Sequence, residues 1–312
     1  MLGSGRWCPQ SSVPRARRKG ACLLAAAALL VGARAKPVRE GELVLPAADP
    51  VIAATIAGVP VRLRVDLDRR TSVELNPDVA ARLPLAWEQD IAIEVGRVSL
   101  DGRIAIAPLT VAGRTLPIPV ASYDRPCCDG VDGAIGADLL PYARVRWVRR
   151  DAPANQAVRS LSLEQSGLFG LSSPVDGLAL RFASAQTETT ATAAAGATLA
   201  HDHGGGWHGP PRTIRAAFGV SRPVRQLDFA RPASLAGFRF DHLLVRISDF
   251  AGDRRLPDDP AGRDEIVVSH ALRRQRPWAA VTLGADRLDL CAEITYVAEP
   301  RSLILHCAFD RP

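Results

Sequence analysis

One short pattern occurs twice in the chain and constrains its fold more than any other feature. The segment Gly136-Ala137-Asp138-Leu139-Leu140 returns 148 positions later as Gly284-Ala285-Asp286-Arg287-Leu288. Ala134-Ile135 precedes the first copy and Thr282-Leu283 the second, and an extended run rich in β-branched and aromatic residues follows each copy, at Val145–Val148 and at Ile294–Val297. A unit that repeats at long spacing predicts two copies of the same structural unit in tandem.

The first 35 residues have the composition of a secretory signal. A basic lead from Arg15 to Lys19 precedes an apolar core of eleven residues, Ala21–Val31, and Ala33-Arg34-Ala35 supplies a small-x-small cleavage site. The core is too short to cross a bilayer, so we expect cleavage after residue 35 and no membrane span in the mature chain. An uncleaved anchor is the alternative. A signal of this kind predicts an exported protein, either periplasmic or extracellular.

The basic charge of the chain lies in this leader. It holds six basic residues and no acidic ones, so the formal net charge of +6 falls to zero for residues 36–312. A nucleic-acid-binding domain is expected to carry a basic patch. We therefore expect no nucleic-acid partner.

Four cysteines remain after the leader. Cys291 and Cys307 flank a predicted hairpin whose turn, Ala298–Arg301, lies midway between them, so we predict a disulfide across its strands. Closing a loop of this size contributes about 3 kcal/mol, and two buried thiols are the alternative. Adjacent cysteines such as Cys127 and Cys128 bond to each other only with strain, and no second ligand pair lies near them in the sequence.

The apolar patterns of residues 51–120 predict strands. Val61–Asp68 alternates apolar and polar residues, and a turn at Ala57–Pro60 joins it to Val51–Ile56, which predicts a hairpin. Asn76 is the expected cap of a short helix at Val79–Leu83. Short strands bounded by Gly and Pro turns complete the first half, at Ile91–Val95, Arg97–Leu100, Arg103–Ala107, Leu109–Val111 and Leu116–Val120.

The second half begins as the first does. Residues 149–176 are predicted to be a connector, and the strand Leu178–Phe182 after it contains Leu180-Arg181-Phe182, similar to Leu63-Arg64-Val65. His201, His203 and His208 lie in a stretch, residues 201–211, that we interpret as a solvated Gly-rich loop; a zinc site is the alternative, although no fourth ligand is apparent. We expect neither a metal nor another cofactor. The remaining strands are predicted at Thr213–Phe218, Val224–Phe229, Leu243–Ile247 and Glu265–Val268.

These motifs resemble the lobes of the retropepsin-like and pepsin-type aspartic protease family. The apolar pair leading into Gly-x-Asp-x-Leu is similar to the closing segment of such a lobe, and Ile56–Asp66 is similar to its first hairpin, which ends in the catalytic Asp-Thr-Gly. The resemblance implies an all-β, bilobal fold of two tandem retropepsin-like β-barrel lobes that face each other across a cleft. The implied domains are a signal (1–35), an N-terminal lobe (36–150), a linker (151–176) and a C-terminal lobe (177–312). One hairpin of the first lobe would be the flap that covers the groove.

The resemblance places Asp66 at the position of the catalytic aspartate, Leu67 at that of the threonine and Asp68 at that of the glycine. In the second lobe, Ala183-Ser184-Ala185 stands where Asp-Thr-Gly is expected. Aspartic protease chemistry needs two carboxylates that share one proton. We therefore expect impaired catalysis and a cleft that binds an extended peptide or a partner protein.

Two routes to an active protein remain open. The chain would be an atypical aspartic endopeptidase if Asp66 worked with a second carboxylate, and Glu188, five residues after Ala183, fits that place poorly. A homodimer that brings two copies of Asp66 together is the other route. We expect a monomer, because each first lobe already has a tandem partner.

Overall fold

The computed structural model describes residues 39–68, 72–95, 98–153, 155–165, 171–247 and 279–309. The predicted signal, residues 1–35, and the predicted strand Glu265–Val268 lie outside these ranges. The described residues belong to one unit, Pro37–Pro312.

The first lobe is a closed barrel. After β1 (Glu42–Pro46), its elements are β2 (Val51–Ile56), β3 (Val59–Asp66), β4 (Val73–Leu75), α1 (Pro77–Arg82), β5 (Gln89–Val95), β6 (Val98–Val111), β7 (Arg114–Tyr123), β8 (Gly133–Gly136), a 3₁₀ turn (Ala137–Leu139) and β9 (Arg144–Val148). Hydrogen bonds join the strands in the order β2-β3-β8-β4-β7-β6-β5, and an additional pairing of β2 with β6 closes the barrel. The alternating apolar residues of β3 point inward: Val61, Leu63 and Val65 are all buried.

The second lobe has a similar order of strands, with β11 and a 3₁₀ turn between β15 and β16 as additional elements. They are β10 (Ala157–Ser162), β11 (Glu164–Gln165), β12 (Leu171–Val175), β13 (Leu178–Phe182), β14 (Thr190–Ala191), α2 (Ala193–His203), β15 (Gly205–Arg215), a 3₁₀ turn (Ala217–Gly219), β16 (Ser221–Leu235), β17 (Phe238–Arg246), β18 (Ala280–Leu283) and α3 (Ala285–Leu288). The sheet order is β11-β12-β13-β18-β14-β17-β16-β15.

Without β11, the two sheets match strand for strand. In the first lobe, the strand before the motif, β8, pairs in parallel with β3 and antiparallel with β4. In the second lobe, the corresponding strand, β18, pairs in parallel with β13 and antiparallel with β14. The short strand β4 or β14 in turn pairs in parallel with β7 or β17. The same unusual mixture of pairings in both halves confirms the expected all-β fold of two tandem lobes.

Strands from both lobes form a third sheet. It contains β19 (Cys291–Ala298) and β20 (Arg301–Cys307) and has the order β1-β9-β19-β20-β10. The runs that follow the two motif copies, β9 and β19, are therefore direct neighbours in this central sheet. Its inner face carries Trp147 and Tyr296, both buried in a core shared by the two lobes. The Trp147 indole donates a hydrogen bond of 3.2 Å to the carbonyl of Val65, so the sheet supports the end of β3.

The prediction of a loop at residues 201–211 is wrong. Helix α2 continues to His203, and β15 begins at Gly205. The Thr192 hydroxyl accepts a hydrogen bond of 3.2 Å from the N–H of Ala195, and the alanine-rich sequence that follows favours a helix. Gly204, at a φ of 71°, ends it in the left-handed conformation that glycine adopts readily.

Two other regions contain more strand than the sequence indicated. Residues 149–176, predicted as a connector, include β10, β11 and β12, and β10 extends the central sheet by pairing with β20. The three short strands predicted between Arg97 and Val111 form the single strand β6. β5 pairs with its first half, residues 98–104, and β7 with residues 102–111, so the polar residues inside it do not interrupt the pairing.

Candidate functional site

Asp66 is the last residue of β3 and lies opposite Gly136, the glycine of the first motif copy. It is only 5% exposed, and its Oδ1 accepts a hydrogen bond of 3.2 Å from the backbone N–H of Asp68. In the family that the sequence resembles, a glycine stands at the position of Asp68, and its N–H comes close to the catalytic carboxylate. The same backbone contact is made here with an aspartate at that position.

The second lobe presents alanine at the matching place. Val65 in the first lobe pairs with Ile135, and Phe182 in the second lobe pairs with Leu283. Ile135 and Leu283 each directly precede the glycine of their motif copy. The residue after Phe182, Ala183, therefore matches Asp66 in register, and it is buried, 6% exposed. A methyl group stands where the resemblance predicts a second carboxylate.

An ion pair joins the ends of β3 and β13. The Arg181 guanidinium donates a hydrogen bond to the Asp68 carboxylate, and the two side chains are 13% and 25% exposed. Leu67, at the position of the family's threonine, is buried in the core and has no hydroxyl to bond across the lobes. At this place the lobes are therefore connected by an ion pair, two residues before Ala183 and two after Asp66.

Glu188 does not serve as the second carboxylate in this structure. Its side chain is ion-paired with Arg212 of β15, and this hydrogen bond raises the pKa of Arg212 above its ordinary value. Both side chains are exposed. Glu188 is thus engaged within its own lobe, which agrees with its poor fit in the sequence.

The aspartate of the second motif copy has a structural role. Asp286 accepts a hydrogen bond of 2.8 Å from the hydroxyl of Thr189, and that hydroxyl accepts one of 3.1 Å from the N–H of Gly284. These bonds hold the segment between β13 and β14 against the motif. Thr189 was not among the residues predicted from the sequence, although its place shortly before the capping Thr192 in a threonine-rich stretch was a usable signal.

The lobes also touch at their hairpins. The tip of the β15–β16 hairpin places Phe218 and Val220 against Leu100, Ala121 and Tyr123 of the first lobe, and we call this cluster the hairpin contact. The rings of Tyr123 and Phe218 meet edge to face, with their centroids 5.0 Å apart. Phe218 adopts a positive φ of 56°, an uncommon conformation for a side chain of its size. Its burial in the contact offsets that local cost.

The loop between β7 and β8 is fixed by Asn76. The Asn76 Oδ1 accepts hydrogen bonds from the N–H groups of Cys127 and Cys128, and its Nδ2 donates to the carbonyls of Cys128 and Val131. Asn76 stands at the N-cap of α1, as predicted, but its side chain makes no capping bond because the amide is engaged with this loop. The loop is further bound to β3 by Arg62.

All four cysteines of residues 36–312 are paired. Cys291 and Cys307 are bonded across β19 and β20, where both are buried, so the predicted pairing is confirmed. Cys127 and Cys128 are bonded to each other. The second pair lies at the edge of the hairpin contact, which Cys127 touches.

Within the described ranges, no three His, Cys, Asp or Glu side chains come together as metal ligands. His201 and His203 lie in the last turn of α2, whereas His208 lies on β15 with its Nδ1 3.1 Å from Asp228. No helix in the described part of the chain is long and apolar enough to cross a membrane.

Comparison with known proteins finds likeness among the solved structures. No family model matches the chain, and no curated protein matches it. Among the solved structures, the EIAV protease in complex with the inhibitor HBY-793 is similar at 17% identity, with a TM-score of 0.24, over 30% of this chain and 85% of that one. The fold assignment rests on the duplicated topology described above, which has the all-β, bilobal form expected of tandem retropepsin-like lobes.

Proposed function

We propose that this chain is an exported, noncatalytic aspartic-protease-like protein that binds an extended peptide, or an extended segment of a partner protein, between its two lobes. The observation that carries the proposal is Ala183, which occupies in the second lobe the position that Asp66 occupies in the first. The lobes are kept in full while one half of the catalytic pair is missing.

A single carboxylate cannot perform the reaction. One carboxyl group must take a proton from water while the other donates a proton to the substrate carbonyl, and their closeness makes them share a proton. Asp68, two residues after Asp66, is ion-paired with Arg181, and Glu188, the candidate in the second lobe, is ion-paired with Arg212. These ion pairs support the proposal that neither Asp68 nor Glu188 shares a proton with Asp66.

The architecture favours binding of an extended chain. Among the described strands, β5 pairs only with β6, so one edge of this first-lobe hairpin has backbone N–H and C=O groups without a strand neighbour. An extended peptide can add to such an edge as a further strand, with alternate side chains providing specificity. The opposite hairpin, β15–β16, has Pro210 and Pro211 in its edge strand, which lack N–H groups and make that edge the poorer template.

Export is part of the proposal because two features favour it. The leader of residues 1–35 has the pattern of a secretory signal. The two cysteine pairs are of the kind that persists in oxidising compartments.

The test uses the purified chain from Lys36 onward and a mixed peptide library between pH 3 and pH 7. We expect no cleavage by the wild type, and we expect bound peptides to co-elute with it on size exclusion and be identified by mass spectrometry. Asp66→Asn, which keeps the size and removes the charge, should retain the same peptides. Cleavage that disappears in Asp66→Asn would contradict the proposal and support the alternative, an active atypical endopeptidase with a second carboxylate.

A further inference from the structure

The Cys127–Cys128 pair differs from the other disulfide in its surroundings. Cys128 is 6% exposed, whereas Cys127 is half-buried and is the more exposed residue of the pair. Cys291 and Cys307 are both buried in the central sheet. A reductant that approaches the folded protein therefore meets Cys127 first.

The loop around the pair is held by bonds that do not depend on the disulfide. Asn76 makes four hydrogen bonds of 2.9 to 3.2 Å to backbone groups of Cys127, Cys128 and Val131. The Arg64 guanidinium donates a further bond of 3.0 Å to the carbonyl of Asp129. Because these contacts are to the backbone, they persist when the sulfurs separate, and the two cysteines remain neighbours that can bond again.

In the reduced form, the Cys127 thiol has a hydrogen-bond acceptor within reach. The Cys127 sulfur lies 3.4 Å from the carbonyl oxygen of Glu74. A thiol at this position can donate a hydrogen bond to that oxygen, which a disulfide sulfur cannot. Reduction thus gives Cys127 a partner that the oxidised form lacks.

Cys127 connects the pair to the contact between the lobes. Its side chain packs against the hairpin contact, in which Tyr123 and Phe218 meet. Tyr123 ends β7 and is four residues before Cys127 in the chain. A change in the position of the Cys127 sulfur therefore acts directly on the packing around Phe218.

We propose that Cys127–Cys128 is a thiol–disulfide exchange site and that its oxidation state alters the hairpin contact. The inference is independent of the proposed function and needs a dithiol reductant. A thiolate of the reductant attacks the Cys127 sulfur, the bond between the two sulfurs breaks, and Cys128 leaves as a thiolate and takes up a proton. The second thiol of the reductant then attacks the mixed disulfide and releases Cys127. The protein gains two electrons and two protons, and the reductant becomes a disulfide.

Differential alkylation of the folded protein tests the site. The chain from Lys36 onward is treated with graded dithiothreitol, alkylated with N-ethylmaleimide and quantified by peptide mass spectrometry. We expect Cys127 and Cys128 to be labelled at least tenfold faster than Cys291 and Cys307, which serve as the control within the same molecule. Labelling of all four at one rate, or labelling of Cys127 and Cys128 without reductant, would overturn the assignment.

Hydrogen exchange tests the link to the hairpins. Residues 216–220 should exchange at least threefold faster in the selectively reduced protein than in the oxidised one, while the β19–β20 amides remain unchanged. A Cys127→Ser, Cys128→Ser variant should reproduce the faster exchange without any reductant. Equal exchange of residues 216–220 in oxidised and reduced wild type would refute the transmission, whether or not the variant folds.

Discussion

The ion pair between Arg181 and Asp68 should be a measurable tie between the lobes. Its side chains are 13% and 25% exposed, so it lies between a surface pair, worth about 0 to 1 kcal/mol, and a fully buried pair, whose disruption costs about 3 to 5 kcal/mol. We expect a coupling free energy of about 1 to 2 kcal/mol. Because both residues make further interactions, each single substitution should cost more than the coupling itself.

A double-mutant cycle isolates this quantity. Arg181→Met and Asp68→Asn each remove a charge with little change in size, and the free energy of unfolding is measured in urea for the wild type, both single variants and the double variant. The exposed pair Arg239–Asp241, with side chains 47% and 65% exposed at 3.2 Å, provides the matched control through Arg239→Met and Asp241→Asn. Its coupling should be below about 0.5 kcal/mol.

The salt dependence adds a second criterion. Added salt screens an exposed pair more strongly than a partly buried one, so the coupling of Arg181 with Asp68 should persist at 0.5 M NaCl while that of the control vanishes. A coupling free energy for Arg181 and Asp68 no larger than that of the control pair would refute the inference that this ion pair ties the lobes together at the ends of β3 and β13.

Three further predictions concern stability. Ala183→Asp should lower the free energy of unfolding at pH 7 by about 2 to 3 kcal/mol, because it buries a carboxylate at a position that is 6% exposed. Burial should raise the pKa of the new carboxyl group in the folded state and so make the loss smaller at pH 4; a loss as large at pH 4 would contradict the burial of this position. Replacing Cys291 and Cys307 by alanine should cost about 3 kcal/mol in urea unfolding under non-reducing conditions, and a loss below about 1 kcal/mol would count against the pairing. The hydrogen bond from Arg146 on β9 lowers the pKa of Glu293 below its ordinary value of 4.5. The contribution of Glu293 to the free energy of unfolding is therefore present above pH 4.5 and is lost as the pH falls. The stability difference between wild type and Glu293→Gln should shrink between pH 6 and pH 3, and a constant difference would refute this reasoning.

The fold could be predicted largely because its signals are local and repeated. Each Gly-Ala-Asp-x-Leu copy and the alternating run Val61–Asp68 lie within about ten residues. As the patterns predict, the two copies lie at the ends of β8 and β18, and the alternating run begins within β3. The match of Leu180-Arg181-Phe182 with Leu63-Arg64-Val65 also predicted the correct register, since both segments pair equivalently with the motif strand.

The site could be predicted only in part because its contacts join distant residues. Arg181 and Asp68 are 113 positions apart, and no local pattern indicates that a strand arginine would meet an aspartate of the other lobe. The interpretation of residues 201–211 as a loop failed for another reason. The histidines and glycines there favour a loop by composition, but the cap at Thr192 begins a helix that carries through His203.

The central sheet has a consequence for how the chain is made. Its strand β9 completes its pairing only with β19, and Arg146 on β9 bonds to Glu293 on β19, 147 positions later. While the chain is being synthesised, a first lobe that has already formed presents the open edge of β9 and the apolar face around Trp147 until the last residues arrive. Such an edge is a template for pairing with another copy. The period between completion of the first lobe and arrival of the last two strands is thus when the protein is most vulnerable to aggregation, and a helper that shields that edge would act there.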